Sequence, residues 1–447
     1  MKRGNRMDEI KIPKRILTSL INSISAGVVP RTGAPFIAIG REDEIKTFAS
    51  DLENVADGGA GMRFIIGKYG SGKSFLIQLM RGYALEQGFI TADADLSPER
   101  RLCGTKGTGR ATFKEIMKNL ASKSSPDGGA LNGIITKWFS NLQYEATCEG
   151  FAPESDSFEK AVTSKVIASL RILQEEVGGF DFARVLMKYY RAQHEGDDEM
   201  CALCLKWFRG EYTTKTEAKN YLSVGSIIDD ENWYDFIKLY AVFFRLIGYK
   251  SFVVFIDECV NLYKISNRIS RENNYEKILS MFNDTLQCKA AGLELILGGT
   301  PQFLEDSRRG IYSYEALRSR LFDGRFENTE YKNLIGPVIR LKRLSDAELF
   351  ALIARITRLH GQLYGITERI TTDEMRTFLE LCLKRAGADV MITPREIIRD
   401  YITLLNILMQ NPTADAASVL KTNVIALNTE KKEETSNTDF DPEDIEL

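Results

Sequence analysis

Histidine is nearly missing from this chain. Two of the 447 residues are His, His194 and His360. A histidine-rich metal cluster or a Ser–His–Asp triad therefore lacks material. No run approaches the roughly 18 apolar residues a membrane span needs, although hydrophobic residues make up 44% of the sequence. The opening MKRGNRMDEIKIPKR has charges but no apolar stretch of signal-peptide type behind them. The seven Cys are odd in number and follow no framework of spacings, which fits free thiols in a reducing cytoplasm. Cys201 and Cys204, in EMCALCLKWF, have metal-ligand spacing. A zinc site needs four ligands, though, and this pattern is helical with both Cys on one apolar face, so buried thiols are expected. A large charge of one sign is also absent. The net charge is −3, and bulk charge gives no argument for nucleic acid. Its distribution is uneven, with an acidic tail, EKKEETSNTDFDPEDIEL, and a basic start holding Lys2, Arg3, Arg6, Lys11, Lys14 and Arg15. A solvated N-terminus accounts for the latter better than a phosphate-touching arm does.

What remains is an ordinary globular composition, long enough for two or three domains or for one with a large insertion. Five β-branched or aliphatic runs read as buried parallel strands: MRFII (62–66), FITADAD (89–95), SFVVFID (251–257), LELIL (293–297) and PVIRL (337–341). Helical patterns between them predict an α/β sheet. The gap of about 155 residues after the second run is far longer than a crossover needs. It reads as helices, among them SFEKAVTSKVIASLRILQEEV, DFARVLMKYYRAQ and NWYDFIKLYAVFFRLIG, and it holds all three Trp. Most of its aromatics are expected to be core, with a minority free for a partner surface. After the fifth run the pattern is helical again. Thr371 with Glu374, and Thr393 with Glu396, have capping-box spacing, and Pro394 sits where a first-turn proline belongs. From about Asn428 the composition is that of a disordered tail.

GKYGSGKSF, from Gly67 through Lys68, Tyr69, Gly70, Ser71, Gly72, Lys73 and Ser74 to Phe75, contains G-x-x-x-x-G-K-S. Its glycines let backbone N–H groups converge on phosphate oxygens, and the following helix adds its positive dipole end. Lys73 can reach the β- and γ-phosphates, and Ser74 can ligate Mg2+. A strand runs straight into the motif and an apolar-periodic helix runs straight out, so a phosphate-binding loop is expected. FVVFIDE supplies a second part. A buried strand delivers Asp257 at its C-terminal end, where ligands bind in open α/β sheets, and Asp257 can hold Mg2+ through water. Glu258 follows, placed to polarise an attacking water. Arg395 falls in the first turn of a helix, where a cation opposes the macrodipole, and Arg399 adds like-charge repulsion. Either an anion such as a γ-phosphate compensates, or Glu396 or Asp400 does.

The extra strand between the phosphate loop and Asp257 is similar to P-loop ATPases with a catalytic glutamate, and the resemblance narrows to the AAA+ class. IAIGREDEI, with Gly40 and Arg41, is similar to the segment that lies beside adenine in origin-recognition-like and STAND-type members. The resemblance implies a polar sensor at Thr300 in LELILGGTP, and an arginine finger at Arg320 or Arg318 in ALRSRL. It also implies a second sensor arginine at Arg395 in TPRE. Together, SAGVVPRTGAPFIAIGREDEI, RFIIGKYGSGKSFLIQLMRGYALEQGF, DLSPERRL, FIDE and ALRSRL resemble the ATP-binding proteins of BREX bacteriophage-defence systems, the BrxD-like type.

That resemblance implies an AAA+ P-loop NTPase with a parallel five-stranded sheet. Its parts would be an N-terminal segment (1–35), a core in two pieces (36–104 and 251–341), a helical insertion (105–250), a helical lid (342–425) and an acidic tail (426–447). The expected function is Mg2+-dependent ATP hydrolysis that assembles or remodels a defence complex on DNA. Expected partners are further copies of the chain, other defence proteins such as a helicase, and DNA, reached directly or through them. A STAND-like nucleotide switch and a nucleotide-stabilised scaffold for a helicase are the other readings.

Overall fold

The computed structural model describes residues 12–153, 155–322, 333–367, 369–385 and 393–421. The first eleven residues and the acidic tail lie outside the described residues. All five expected runs are strands, with ends shifted by one or two residues. They are β1 (Gly61–Ile66), β2 (Ile90–Asp95), β3 (Phe252–Asp257), β4 (Leu293–Gly299) and β5 (Val338–Arg340). They pair in parallel in the order β2-β3-β4-β1-β5. Every residue of β3 and β4 is buried, which is why these segments read as unbroken apolar runs. The outer edge of β2 is closed in part by Thr91 and Ala121, which exchange backbone hydrogen bonds of 3.0 and 2.7 Å.

Helices fill the connections. α1 (Lys14–Ser25) and α2 (Glu42–Ala56) precede β1, and α3 (Lys73–Glu86) joins it to β2. Between β2 and β3 lie α4 (Thr108–Lys118), α5 (Leu131–Cys148), α6 (Asp156–Leu173), α7 (Gly179–Glu195), α8 (Asp198–Phe208), α9 (Lys215–Leu222) and α10 (Trp233–Leu246). α11 (Val260–Tyr263) and α12 (Arg268–Leu286) follow β3, and α13 (Pro301–Glu305) and α14 (Glu315–Leu321) follow β4. After β5 come α15 (Asp346–Tyr364), α16 (Thr372–Arg385) and α17 (Pro394–Gln410).

Contacts divide the chain into two compact units. One comprises Glu42–Lys68 and Leu79–Leu341, with the sheet and helices α4 to α14. Its sheet and the helices between β2 and β3 share a single hydrophobic core. Aromatic rings pack its centre: Phe182 meets Phe208 at 5.0 Å, Tyr240 at 5.2 Å and Phe243 at 5.4 Å between centroids, and Phe244 meets Phe252 of β3 at 5.1 Å. Trp138, Trp207 and Trp233 are all buried, as expected of core aromatics. Cys201 is partly buried and Cys204 fully so; both are free, and burial pushes the Cys204 thiol up to about 12. One buried group breaks the apolar pattern. Glu294 on β4 lies opposite Gly61 of β1, with its carboxyl against the Gly61 Cα. Neither carboxyl oxygen has a hydrogen-bond partner among the described residues. Burial pushes this group well above the usual carboxylate range, with Asp51 adding and Arg63 opposing.

The other unit comprises Met1–Arg41, Tyr69–Gln78 and Lys342–Leu447. Its core joins α1, through Leu17, Leu20 and Ile21, to Ile353 and Ile356 of α15 and Tyr401 and Ile402 of α17. The Thr357 and Tyr401 hydroxyls meet at 2.6 Å inside it. Capping boxes form at Thr393 with Glu396 and at Thr371 with Glu374, as their spacing predicts, and a third forms at Ser345 with Glu348.

Candidate functional site

A parallel sheet sends the exits of all its strands to one edge, and that edge carries four of the candidate residues. β1 and β4 end in register at Ile66 and Gly299, and β2 and β3 end in register at Asp95 and Asp257. The Gly67 N–H donates to the Gly299 carbonyl at 3.1 Å, which fixes the start of the glycine loop against the end of β4. Gly67, Asp257, Glu258 and Thr300 therefore leave the sheet along the same side.

Asp257 is buried, and its Oδ1 accepts the Glu258 N–H at 2.7 Å. Glu258 itself is exposed and has φ 56°, in the left-handed region that non-glycine residues seldom enter. Such backbone costs on the order of 1–3 kcal/mol and persists where surrounding structure imposes it. Asp95, which the sequence reading did not single out, stands beside this pair. Part of its side chain remains exposed, yet burial of the carboxyl raises its pKa, reinforced by the negative charges of Asp257, Asp93 and Glu258 and opposed by Arg100. Its signal in the sequence was positional, because it ends its strand as Asp257 ends the next. The DLSPERRL segment is tied to the same corner: Leu96 N–H donates to the Asp257 carbonyl at 3.0 Å, and Asn261 Nδ2 donates to the Leu96 carbonyl at 2.8 Å.

Thr300 is the N-cap of α13, and its hydroxyl accepts the Phe303 N–H at 3.3 Å. Arg320 and Arg318 are exposed at the end of α14. Arg320 donates through Nε to Asn283 at 3.2 Å and through Nη1 to the Ala316 carbonyl at 2.7 Å, so its guanidinium is held by its own chain.

The rest of the glycine loop, with Tyr69 to Phe75, belongs to the other unit. Gly70 and Gly72 have φ 77° and 85°, and α3 begins at Lys73. No N–H from Tyr69 to Gly72 finds an acceptor among the described residues. Unspent donors at a helix N-terminus form an anion site. A Cβ on Gly70 would lie 2.7 Å from the Thr393 methyl, so α17 begins directly against the loop. Arg395 in the first turn of α17 is exposed and makes no ion pair or hydrogen bond with a described residue. Of the two carboxylates expected as alternatives, Glu396 accepts from Thr393 at 2.7 Å and is held below its ordinary range first by those bonds and also by Arg399 and Arg395, and Asp400 lies 3.6 Å from Arg399. Arg41, expected beside adenine with Gly40, is buried and braces the loop. It donates to the carbonyls of Ser71 at 2.7 Å, Lys342 at 3.2 Å and Gly40 at 3.2 Å. Tyr69 projects from the loop, 81% exposed.

The free N–H groups, the Lys73 side chain at the helix start and the open glycine turn fit the phosphates of ATP. No group of three or more His, Cys, Asp or Glu among the described residues is arranged to hold a metal ion. Nor, among them, is any helix long and apolar enough to cross a membrane. Among curated proteins none matches the chain. A family described as BREX system ATP-binding protein BrxC/D matches residues 12–424, nearly the whole length on which this sheet, loop and acidic corner are built, and the chain belongs to that family.

Proposed function

We propose that the chain is a Mg2+-dependent ATPase of the AAA+ class, acting in the cytoplasm to assemble or remodel a bacteriophage-defence complex on DNA. The observation that carries the hydrolytic part of this reading is Glu258, an exposed carboxylate in strained backbone directly after the buried Asp257. A residue needed only for packing has no reason to hold that conformation. β4 lies between β1 and β3 in the sheet, which supports the likeness to ATPases with a catalytic glutamate.

In this reading the loop N–H groups and Lys73 hold the phosphates of ATP. Ser74 and Asp257 would hold Mg2+, which neutralises charge on the phosphates. Such ions are commonly bound through one or two protein oxygens and water rather than a protein cage. Glu258 orients the attacking water and accepts its proton. Thr300 can donate its hydroxyl proton while its oxygen caps α13. Arg395 adds positive charge beside the loop, and Arg320 of a neighbouring copy stabilises the charge that develops in the transition state. The slower nucleotide switch draws support from one observation, the hold that Asn283 and Ala316 have on Arg320.

The test is calorimetry and turnover on two variants. Lys73→Ala should lose ATP binding while staying folded, and Glu258→Gln should keep binding and lose hydrolysis. Unchanged ATP affinity in the first, or unchanged turnover in the second, overturns the assignment.

A further inference from the structure

We propose that the groove formed by α6, α7, α8 and the end of α9 docks an acidic amphipathic helix of a partner protein. The groove has a volume of about 540 Å3. Its floor is apolar, made by Leu170, Met187, Met200 and Leu222. Methionines there suit a surface that adapts to an incoming side chain. Along one wall α7 presents Arg184, Lys188 and Arg191. These stand at i, i+4 and i+7, a single stripe about 10 Å long.

The three cations form no ion pair with any described residue. Lys188 donates to the Tyr221 carbonyl at 2.6 Å, and Arg184 lies over the Phe180 ring at 5.7 Å from its centroid. Neither contact neutralises charge. Elsewhere in this region lysines do find carboxylates: Lys165 meets Glu149 and Lys206 meets Glu217, each at 2.6 Å. Apolar side chains are exposed beside the groove, with Ile167 at 46% and Phe180 at 59%. A solvated charged face needs no such apolar bed, and an ordinary core leaves no row of unneutralised cations along it.

The complement of this surface is a helix with leucine-like residues on one stripe and carboxylates at i, i+4 and i+7 beside it. Nucleic acid fits less well. Its phosphates would meet the cations, but no aromatic side chain lines the groove to stack a base, whereas the apolar lining suits leucine-like side chains. This inference stands apart from the nucleotide site and can be tested without ATP.

The experiment is fluorescence anisotropy on the full chain with a labelled synthetic helix carrying leucines at i, i+3, i+4 and i+7 and glutamates alongside. Binding should saturate, weaken as salt is raised, and exceed that of a scrambled peptide of the same composition. Arg184→Glu combined with Arg191→Glu should weaken it at least about tenfold. Both side chains are exposed and form no ion pair with a described residue, and the contact of Arg184 with Phe180 is at the surface, so the variant should stay close to the wild-type melting curve. Met200→Glu, placing charge on the floor, should weaken binding too. Equal binding of ordered and scrambled peptides, or wild-type affinity in the double variant, overturns the proposal. So does displacement of the peptide by a single-stranded oligonucleotide that binds through the same arginines.

Discussion

The guanidinium of Arg41 donates to the carbonyl of Ser71, inside the glycine loop, at 2.7 Å while also reaching the carbonyls of Lys342 and Gly40. One side chain thus holds the loop by its backbone. Arg41→Ala should lower the melting temperature of the nucleotide-free protein, since a buried carbonyl left unpaired, here that of Ser71, costs about 1–3 kcal/mol. It should also weaken ATP binding about tenfold by loosening the loop. Arg41→Lys should rescue little, because an ammonium lacks the planar fork. If Arg41 served adenine instead, Arg41→Ala would change the preference for ATP over GTP and leave melting untouched.

Glu258 carries the second expectation. Glu258→Gly should abolish turnover yet raise stability by about 1 kcal/mol, because glycine adopts φ 56° without strain. The pairing of lost activity with gained stability is the signature of backbone strain retained for function. A variant that loses both would assign Glu258 a packing role. Thermal melting and phosphate release on the same preparation measure it.

For Arg320, mixing is more informative than the single variant. Arg320→Ala should cut turnover on the order of 10³-fold if it acts as a finger on a neighbour. Mixed with inactive Lys73→Ala protein, it should regain activity, because some intact loops would then face intact arginines. Two folded, co-assembling variants that show no recovery would rule out a site completed between copies.

Glu294 gives a pH dependence with a definite sign. Its carboxyl holds its proton more tightly in the folded chain than in the unfolded one. The folded state therefore loses stability as pH rises above about 4.3, the ordinary glutamate value, and keeps losing it up to the raised folded pKa. Glu294→Met removes the ionisable group at similar length. The gain in melting temperature should be larger near about pH 8 than near about pH 5. Equal gains at both would show that the carboxyl ionises in place without cost.

The strands were legible because the β3 and β4 segments are buried throughout, leaving no alternation to misread. The boxes at Thr371 and Thr393 were legible because a cap is local chemistry. Other features depend on neighbours distant in sequence. The bond from Arg41 to Ser71 spans 30 positions, and that from Arg41 to Lys342 spans 301. No periodicity encodes either, and family likeness pointed Arg41 toward adenine instead. Asp95 owes its raised pKa first to burial and then to the charge of Asp257, which stands beside it only once β2 and β3 pair. The left-handed backbone of Glu258 has no composition signal at all, since glycine is the residue that would announce it. Glu294 reads in sequence as one polar position in a strand, and only the sheet reveals it as sealed.

Helix α1 packs against α15 and α17, so one core joins segments that are made far apart in time during translation. About 370 residues separate the end of α1 from the start of α17. At roughly 5–20 residues per second, the ribosome needs on the order of 20–70 s to cover that distance. Until α15 is made, Leu17, Leu20 and Ile21 lack Ile353 and Ile356, and until α17 is made they lack Tyr401 and Ile402; before Lys342 is reached, the Tyr69–Gln78 segment lacks most of the unit it belongs to. Over that stretch of synthesis the apolar face of α1 stands without its cover, and the glycine loop stands without most of the unit it is grouped with. A chain interrupted before Lys342 would carry the whole glycine loop sequence and yet lack one of the carbonyls that position Arg41 and the helices α15 to α17 of the same unit.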